Sequence, residues 1–184
     1  MLSHIFVFLK VAKDVSVAKD LGCEGVVFGV LKSDGNVDIE RTKILKDAAE
    51  PLETTFHRAI DMSIDAEKAL EELSSIGIDR VLTSGQESSV LEGMDLIKKL
   101  VARSKELKIK ICCGGGITER NARKIVHESG AQEFHTSGRV SRQSEMEHRN
   151  ERVFMGGTFR PPEFTLSVVD SKRVAKFREV TASN

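Results

Sequence analysis

Five short runs rich in β-branched and aromatic residues, GVVFGV (25–30), LETTFHR (52–58), RVLTSG (80–85), IKICCG (109–114) and EFHTSG (133–138), begin 27, 28, 29 and 24 residues apart. Each interval has room for one strand and one crossover helix, the connection that parallel strands need. The intervening segments carry helix signals of their own. Ser89 and Glu92 form an S-x-x-E capping box ahead of MDLIKKLVARSKELK, and Thr118 stands where it can cap TERNARKIVHES. Gly22, Gly77 and Gly130 each close a helical pattern just before a strand. GIDRVLTSG (77–85) overlays GAQEFHTSG (130–138), with both glycines and the Thr-Ser pair coinciding. Repeated parallel βα units of this kind favour an α/β fold of the (β/α)8 TIM-barrel type over an open doubly wound sheet.

The strand count falls short of that architecture, because a closed barrel has eight strands and about 250 residues. HIFVFLK can supply one irregular strand, whereas VAKDVSVAKDLG reads as the helix leading into GVVFGV. After Gly138 come a polar stretch, the segment FTLSVV and a last helix capped by Asp170. The 184 residues therefore predict one incomplete barrel domain with about five parallel strands: an N-terminal segment and helix (1–24), five βα-type strands (25–138), and a C-terminal extension and helix (139–184). The missing βα units fall at the N-terminal end. Open sheet edges at GVVFGV and EFHTSG predict a homo-oligomer or an aggregation-prone chain, since unpaired edges template pairing with other chains.

Composition removes several classes of partner. Lys plus Arg is 28 and Asp plus Glu is 28, so no net field attracts a nucleic-acid backbone. Three cysteines, Cys23, Cys112 and Cys113, are too few and odd in number for a disulfide framework and fit a reducing cytosol. MLSHIFVFLK is broken by Lys10, is shorter than the roughly 18 residues of a membrane span, and has no small-residue cleavage site after it.

Alternation along a barrel strand points one residue set at the helices and the other inward, and the helix-facing set is the more apolar. Ile109, Ile111 and Cys113 thus face outward and Lys110, Cys112 and Gly114 inward. Leu52, Thr54 and Phe56 face outward and Glu53, Thr55 and His57 inward, while Phe134 and Thr136 oppose Glu133, His135 and Ser137. Adjacent Cys112 and Cys113 then face opposite ways and cannot close on one ion; Cys113 is expected in the core, Cys112 either there or in a site, and Cys23 in packing at a helix end. His57, His135, Glu53, Glu133, Cys112 and Ser84 form an inward polar constellation. It is either a set of hydrogen-bonded layers or a site for acid/base or metal chemistry.

Arg58 at the end of its strand either fixes an anion or pairs with Asp61 or Asp65. Gly114, Gly115 and Gly116 either make a tight strand-to-helix turn or cradle a phosphate, with the N–H groups of the helix starting near Thr118 and with Ser137, Gly138 and Arg139 of the next loop completing the site.

TFHRAID (55–61), RVLTSG (80–85), GGGIT (114–118) and EFHTSGR (133–139), together with GVVFGVLKSDGNVD (25–38), make the chain resemble the CutC copper-homeostasis family over roughly residues 13–175. The resemblance implies a (β/α)8 barrel and a cytosolic protein, with the nucleus as a second location, linked to copper tolerance through Cu(I) binding or trafficking and with no established enzyme reaction. It implies about three further βα units before residue 25, so a truncated or alternatively spliced form, or an incomplete gene sequence with MLSHIFVFLK as a substitute start, is expected. Similar proteins tend to carry Met-Pro or related residues where this chain has Cys112-Cys113. Two functions from different classes follow as expectations. The first is copper homeostasis, with Cu(I) held by Cys112, His57 and His135. The alternative is a TIM-barrel enzyme or binding protein for a small phosphorylated or anionic metabolite, held by Arg58, Gly114, Gly115, Gly116, Ser137 and Arg139.

Overall fold

A computed structural model describes residues 2–182 of the chain. It divides into two compact units, the first ending at Thr136 and the second beginning at Ser137.

The first unit holds all five expected strands: β1 (Gly25–Phe28), β2 (Glu53–Phe56), β3 (Arg80–Thr83), β4 (Lys110–Gly114) and β5 (Glu133–His135). They form one sheet in the order β1-β2-β3-β4-β5, every pair parallel. Sequence neighbours are therefore also neighbours in space, without the reversal of strand order that defines a doubly wound sheet. This is an α/β unit of TIM-barrel type, with helices α2 (Ile39–Ala49), α3 (Ala66–Ser75), α4 (Met94–Leu107) and α5 (Ala122–Ser129) alternating with the strands.

The helices earn their places by spacing. On α3 the buried residues are Ala66, Ala69, Leu70 and Leu73, and on α4 Met94, Ile97, Leu100, Val101 and Ser104, the three-and-four stepping of one helical face. Asp38 and Asp65 accept hydrogen bonds from the backbone N–H of Arg41 (3.1 Å) and Lys68 (2.9 Å) and so start α2 and α3. The three glycine joints hold: Gly22, Gly77 and Gly130 all adopt positive φ before the next strand. At the fourth joint Lys108 takes the left-handed conformation itself, with φ 58°.

Helix α1 (Leu2–Asp20) runs straight through HIFVFLK, which excludes the irregular-strand option for that segment. Phe8, Val11, Ala12 and Val15 are its core-facing residues, again at helical spacing. Among the described residues no helix is long and apolar enough to cross a membrane.

Two helix starts differ from expectation. Ser89 and Glu92 do bond (Ser89 Oγ to Glu92 Oε2, 2.8 Å; Glu92 N–H to Ser89 Oγ, 3.4 Å), but in a turn preceding α4, which begins at Met94 with Gly93 as its N-cap, so the reciprocal capping box expected at the helix start does not form. Helix α5 begins at Ala122 and not near Thr118. The Asn121 side chain accepts from the Thr118 N–H (2.7 Å) and donates to the Gly116 carbonyl (2.8 Å), holding residues 116–121 in a loop.

The second unit contains β6 (Arg139–Gln143), paired antiparallel with β7 (Thr165–Val169), and helix α6 (Ser171–Ala182). FTLSVV is thus a strand, and Asp170 caps the last helix by accepting from the Arg173 N–H at 2.7 Å. Arg139, expected in a ligand loop, instead opens a strand.

Along the first unit's strands the face assignment follows the alternation. Thr54, Phe56, Val81, Thr83, Ile111 and Cys113 are buried toward the helices, whereas Glu53, Arg80, Lys110 and Cys112 are less covered. Core packing of α4 therefore carries a large share of stability. Leu100→Ala, at a fully buried position, is expected to cost about 2–5 kcal/mol in urea unfolding, against about 0.5 kcal/mol or less for Leu91→Ala on the surface.

Candidate functional site

Charge on the inward face is arranged around one cation. Arg80, at the start of β3, grips Glu133 of β5 through both Nε and Nη2, the latter at 3.1 Å. Nη2 also donates to Glu53 of β2 at 3.1 Å, and Nη1 reaches Thr55 Oγ1 at 3.3 Å. Lys110 Nζ lies 3.5 Å from Glu53 and 3.8 Å from Glu133. The bonds to Glu133 push the Arg80 guanidinium further up, and the hydrogen bond from Arg80 holds the Glu53 carboxyl below its ordinary value. Both glutamates are committed to an ion-pair layer, half-buried at Glu133 and exposed at Glu53, so for these two residues the hydrogen-bonded-layer reading applies.

Above that layer, at the C-terminal ends of the strands, Asp61 is the hub. It sits in the 3-10 turn Arg58–Met62, with its side chain only 6% exposed. Its carboxylate accepts from Thr83 Oγ1 (2.5 Å), Arg58 Nε (2.7 Å), the Ser84 N–H (3.1 Å) and hydroxyl (3.0 Å), and the Gln86 N–H (3.2 Å). Burial alone would raise the Asp61 pKa. The hydrogen bonds from Thr83, Arg58, Ser84 and Gln86 outweigh it and hold the carboxyl below its usual range. Arg58 therefore pairs with Asp61. Its Nη2 is also used, by Ser84 Oγ (2.5 Å) and the Glu87 carbonyl (3.2 Å).

The three expected copper ligands do not assemble into one site. Among the described residues no group of three or more His, Cys, Asp or Glu side chains is placed to hold a metal ion. His57 is occupied as a cap: its Nδ1 accepts the Ala59 N–H at 3.1 Å, which places the proton of the neutral ring on Nε2. Cys112 and His135 do share the inward face. Cys112 is in register with Glu133 and Gly114 with His135, so the thiol and the imidazole are diagonal neighbours two positions apart on adjacent strands. Cys112 is half-buried and His135 exposed. Burial, then the neighbouring Glu133 charge, pushes the Cys112 thiol up to about 11; burial pushes Cys113, in the core as expected, up to about 12. Cys23 is exposed, contrary to the packing role expected of it, because it follows the left-handed Gly22 and leaves the helix face.

Of the expected anion set, Arg58, Gly114, Gly115 and Gly116 belong to the first unit and Ser137 and Arg139 to the second. A Cβ on Gly115 would lie 3.0 Å from Ser84 Cβ and 3.3 Å from Arg58 Nη1, and one on Gly116 would lie 2.9 Å from Ser89 Cβ. The glycines let this loop close onto Arg58, Ser84 and Ser89.

Sequence reasoning passed over Arg80 and Thr83. Arg80 was findable, since alternation places the arginine of RVLTSG on the same face as Glu53 and Glu133. Thr83 was not, because its hydroxyl acts from the helix-facing side of β3.

The CutC family profile matches residues 7–140. The chain is 47% identical over 161 residues to the human copper homeostasis protein cutC homolog, covering 88% of this chain and 59% of that protein. It is 44% identical over 162 residues to a family protein CutC of Bacteroides fragilis, covering 88% of this chain and 64% of that one. The crystal structure of CutC from Streptococcus agalactiae superposes with a TM-score of 0.64 at 30% identity, covering 67% of this chain and 60% of that one. The chain thus spans about three fifths of the length of the curated relatives it matches.

Asp61→Asn tests the hub through pH. Ionised Asp61 contributes stability that is complete above the unfolded carboxyl value of about 4 and is lost as pH falls through the lower native value. The variant should lose about 2–4 kcal/mol at pH 7 in urea unfolding, and the gap to the wild type should close toward pH 2.

Proposed function

Because the chain belongs to the CutC family, we propose that it takes part in copper homeostasis and holds Cu(I) transiently through Cys112 and His135 on the inward face of the sheet. The observation that carries this reading is the juxtaposition of these two side chains across β4 and β5. A thiolate and an imidazole are ligands suited to Cu(I), and a pair without a third donor suits a cargo ion that has to leave again. His57 is not included, since metal binding through Nε2 would require the ring to shift its proton to Nδ1 and give up the Ala59 bond. With its pKa raised to about 11, Cys112 is protonated at neutral pH, and Cu(I) must expel that proton to bind. That keeps the affinity below that of a site with thiolates already ionised.

Anaerobic titration of Cu(I) against a chromogenic chelator tests the assignment. The wild type should take up one ion per chain. Cys112→Ser and His135→Ala should each weaken uptake at least about tenfold, a step of about 1.4 kcal/mol, and Cys23→Ser should leave it unchanged. Uptake that survives loss of Cys112 would remove the site.

A further inference from the structure

The triple glycine and Arg58 play no part in the proposed copper pair, yet their surroundings leave a set of hydrogen-bond donors open on one side. In the loop after β4 the acceptors are already engaged. The Gly115 carbonyl accepts from the Val90 N–H at 3.0 Å and the Gly116 carbonyl from Asn121 Nδ2 at 2.8 Å. The Thr118 N–H is also engaged, by Asn121 Oδ1 at 2.7 Å. Between these fixed points the N–H groups of Gly116 and Ile117 meet no acceptor among the described residues.

Arg58 shows the same one-sidedness. Its Nε is held by Asp61 at 2.7 Å and its Nη2 by Ser84 Oγ at 2.5 Å and the Glu87 carbonyl at 3.2 Å, while Nη1 has no partner among the described residues. Nη1 lies 3.3 Å from the place a Gly115 side chain would fill. The guanidinium is locked on one edge, and its other edge lies beside a loop of positive-φ residues (Gly115 φ +129°, Gly116 φ +68°), so these exposed donors have no acceptor among the described residues.

We propose that Arg58 Nη1 and the Gly116 and Ile117 N–H groups bind a small oxyanion of the phosphate class, either inorganic phosphate or the phosphate group of a small ester. The cradle keeps Arg58 and Gly116 from the anion set expected from sequence and differs in its amide donors, which come from the Gly116–Ile117 loop and not from the start of α5. Two carboxylates stand close by. Asp61 neutralises Arg58 directly, and Glu92 is bonded to Ser89, whose Cβ packs beside Gly116. Asp61 cancels the Arg58 charge and Glu92 adds a negative one, so the cradle has no net positive charge, binding relies on directed N–H donors, and a dissociation constant of about 1 mM is expected.

Amide NMR of the full chain at fixed pH and ionic strength tests this, with sodium phosphate, glycerol phosphate, sodium acetate and sodium chloride as four separate titrants. Saturable shifts of the Gly116 and Ile117 signals with both phosphate compounds, and none with chloride, are expected. Saturation by only one of them identifies the source as the free ion or the ester. Arg58→Gln should raise the dissociation constant at least about fivefold and Arg58→Lys by less; where Arg58→Gln fails to fold, the lysine variant and the wild-type shift map carry the test. No saturable shift by about 20 mM phosphate, shifts confined to other residues, an effect of acetate without phosphate, or equal binding by Arg58→Gln would each overturn the proposal.

Discussion

Arg80 ties together strands that backbone hydrogen bonds do not join. Neighbouring strands stand about 4.8 Å apart, so β3 and β5 are separated by roughly twice that distance and β2 and β5 by roughly three times. The guanidinium nevertheless bonds Glu133 of β5 and Glu53 of β2 at once. Side chains from separate strands converge in this way on the inward side of a curving sheet, and their mutual attraction favours the curvature. The same layer explains why the inward face tolerates so much charge: Arg80 and Lys110 answer both glutamates, and little of the charge is left unpaired.

What Arg80 does within the sheet, Asp61 does at its rim. One carboxylate collects donors from Arg58, Thr83, Ser84 and Gln86 and thereby fixes the loop after β2 onto the loop after β3. Arg58 is held in turn, and its remaining edge faces the glycine loop after β4. Two successive strand-end loops are thus positioned by one buried charge, and the glycine loop beside them is held separately, by the Val90 N–H and Asn121. Cys112 and His135 lie on the same inward face, so the proposed ligand pair and the ion-pair layer share a single surface.

The fold was legible because its signals were local. Strand spacing, glycine joints and helical faces each depend on a few consecutive residues, and β1 to β5 appear where those signals stood. Strand β6 was not legible: RVSRQ offers a single buried-type residue, Val140, and its pairing with β7 depends on a partner more than twenty residues away. The start of α5 was misplaced because Asn121, a side-chain bridge within the loop, outcompeted the Thr118 cap. At the site, residue types were legible and their commitments were not. From the sequence, Glu53, Glu133 and His57 read equally as members of hydrogen-bonded layers or of a chemical site, and each is engaged by a partner that alternation or tertiary contact supplies.

The inward ion-pair layer is measured most directly by a double-mutant cycle between Arg80→Gln and Glu133→Gln, read by urea unfolding at pH 7 and low salt. A coupling energy of about 1–2 kcal/mol is predicted for this largely covered pair. A value indistinguishable from zero would mean that β3 and β5 do not meet through these side chains, and the described inward face would be contradicted.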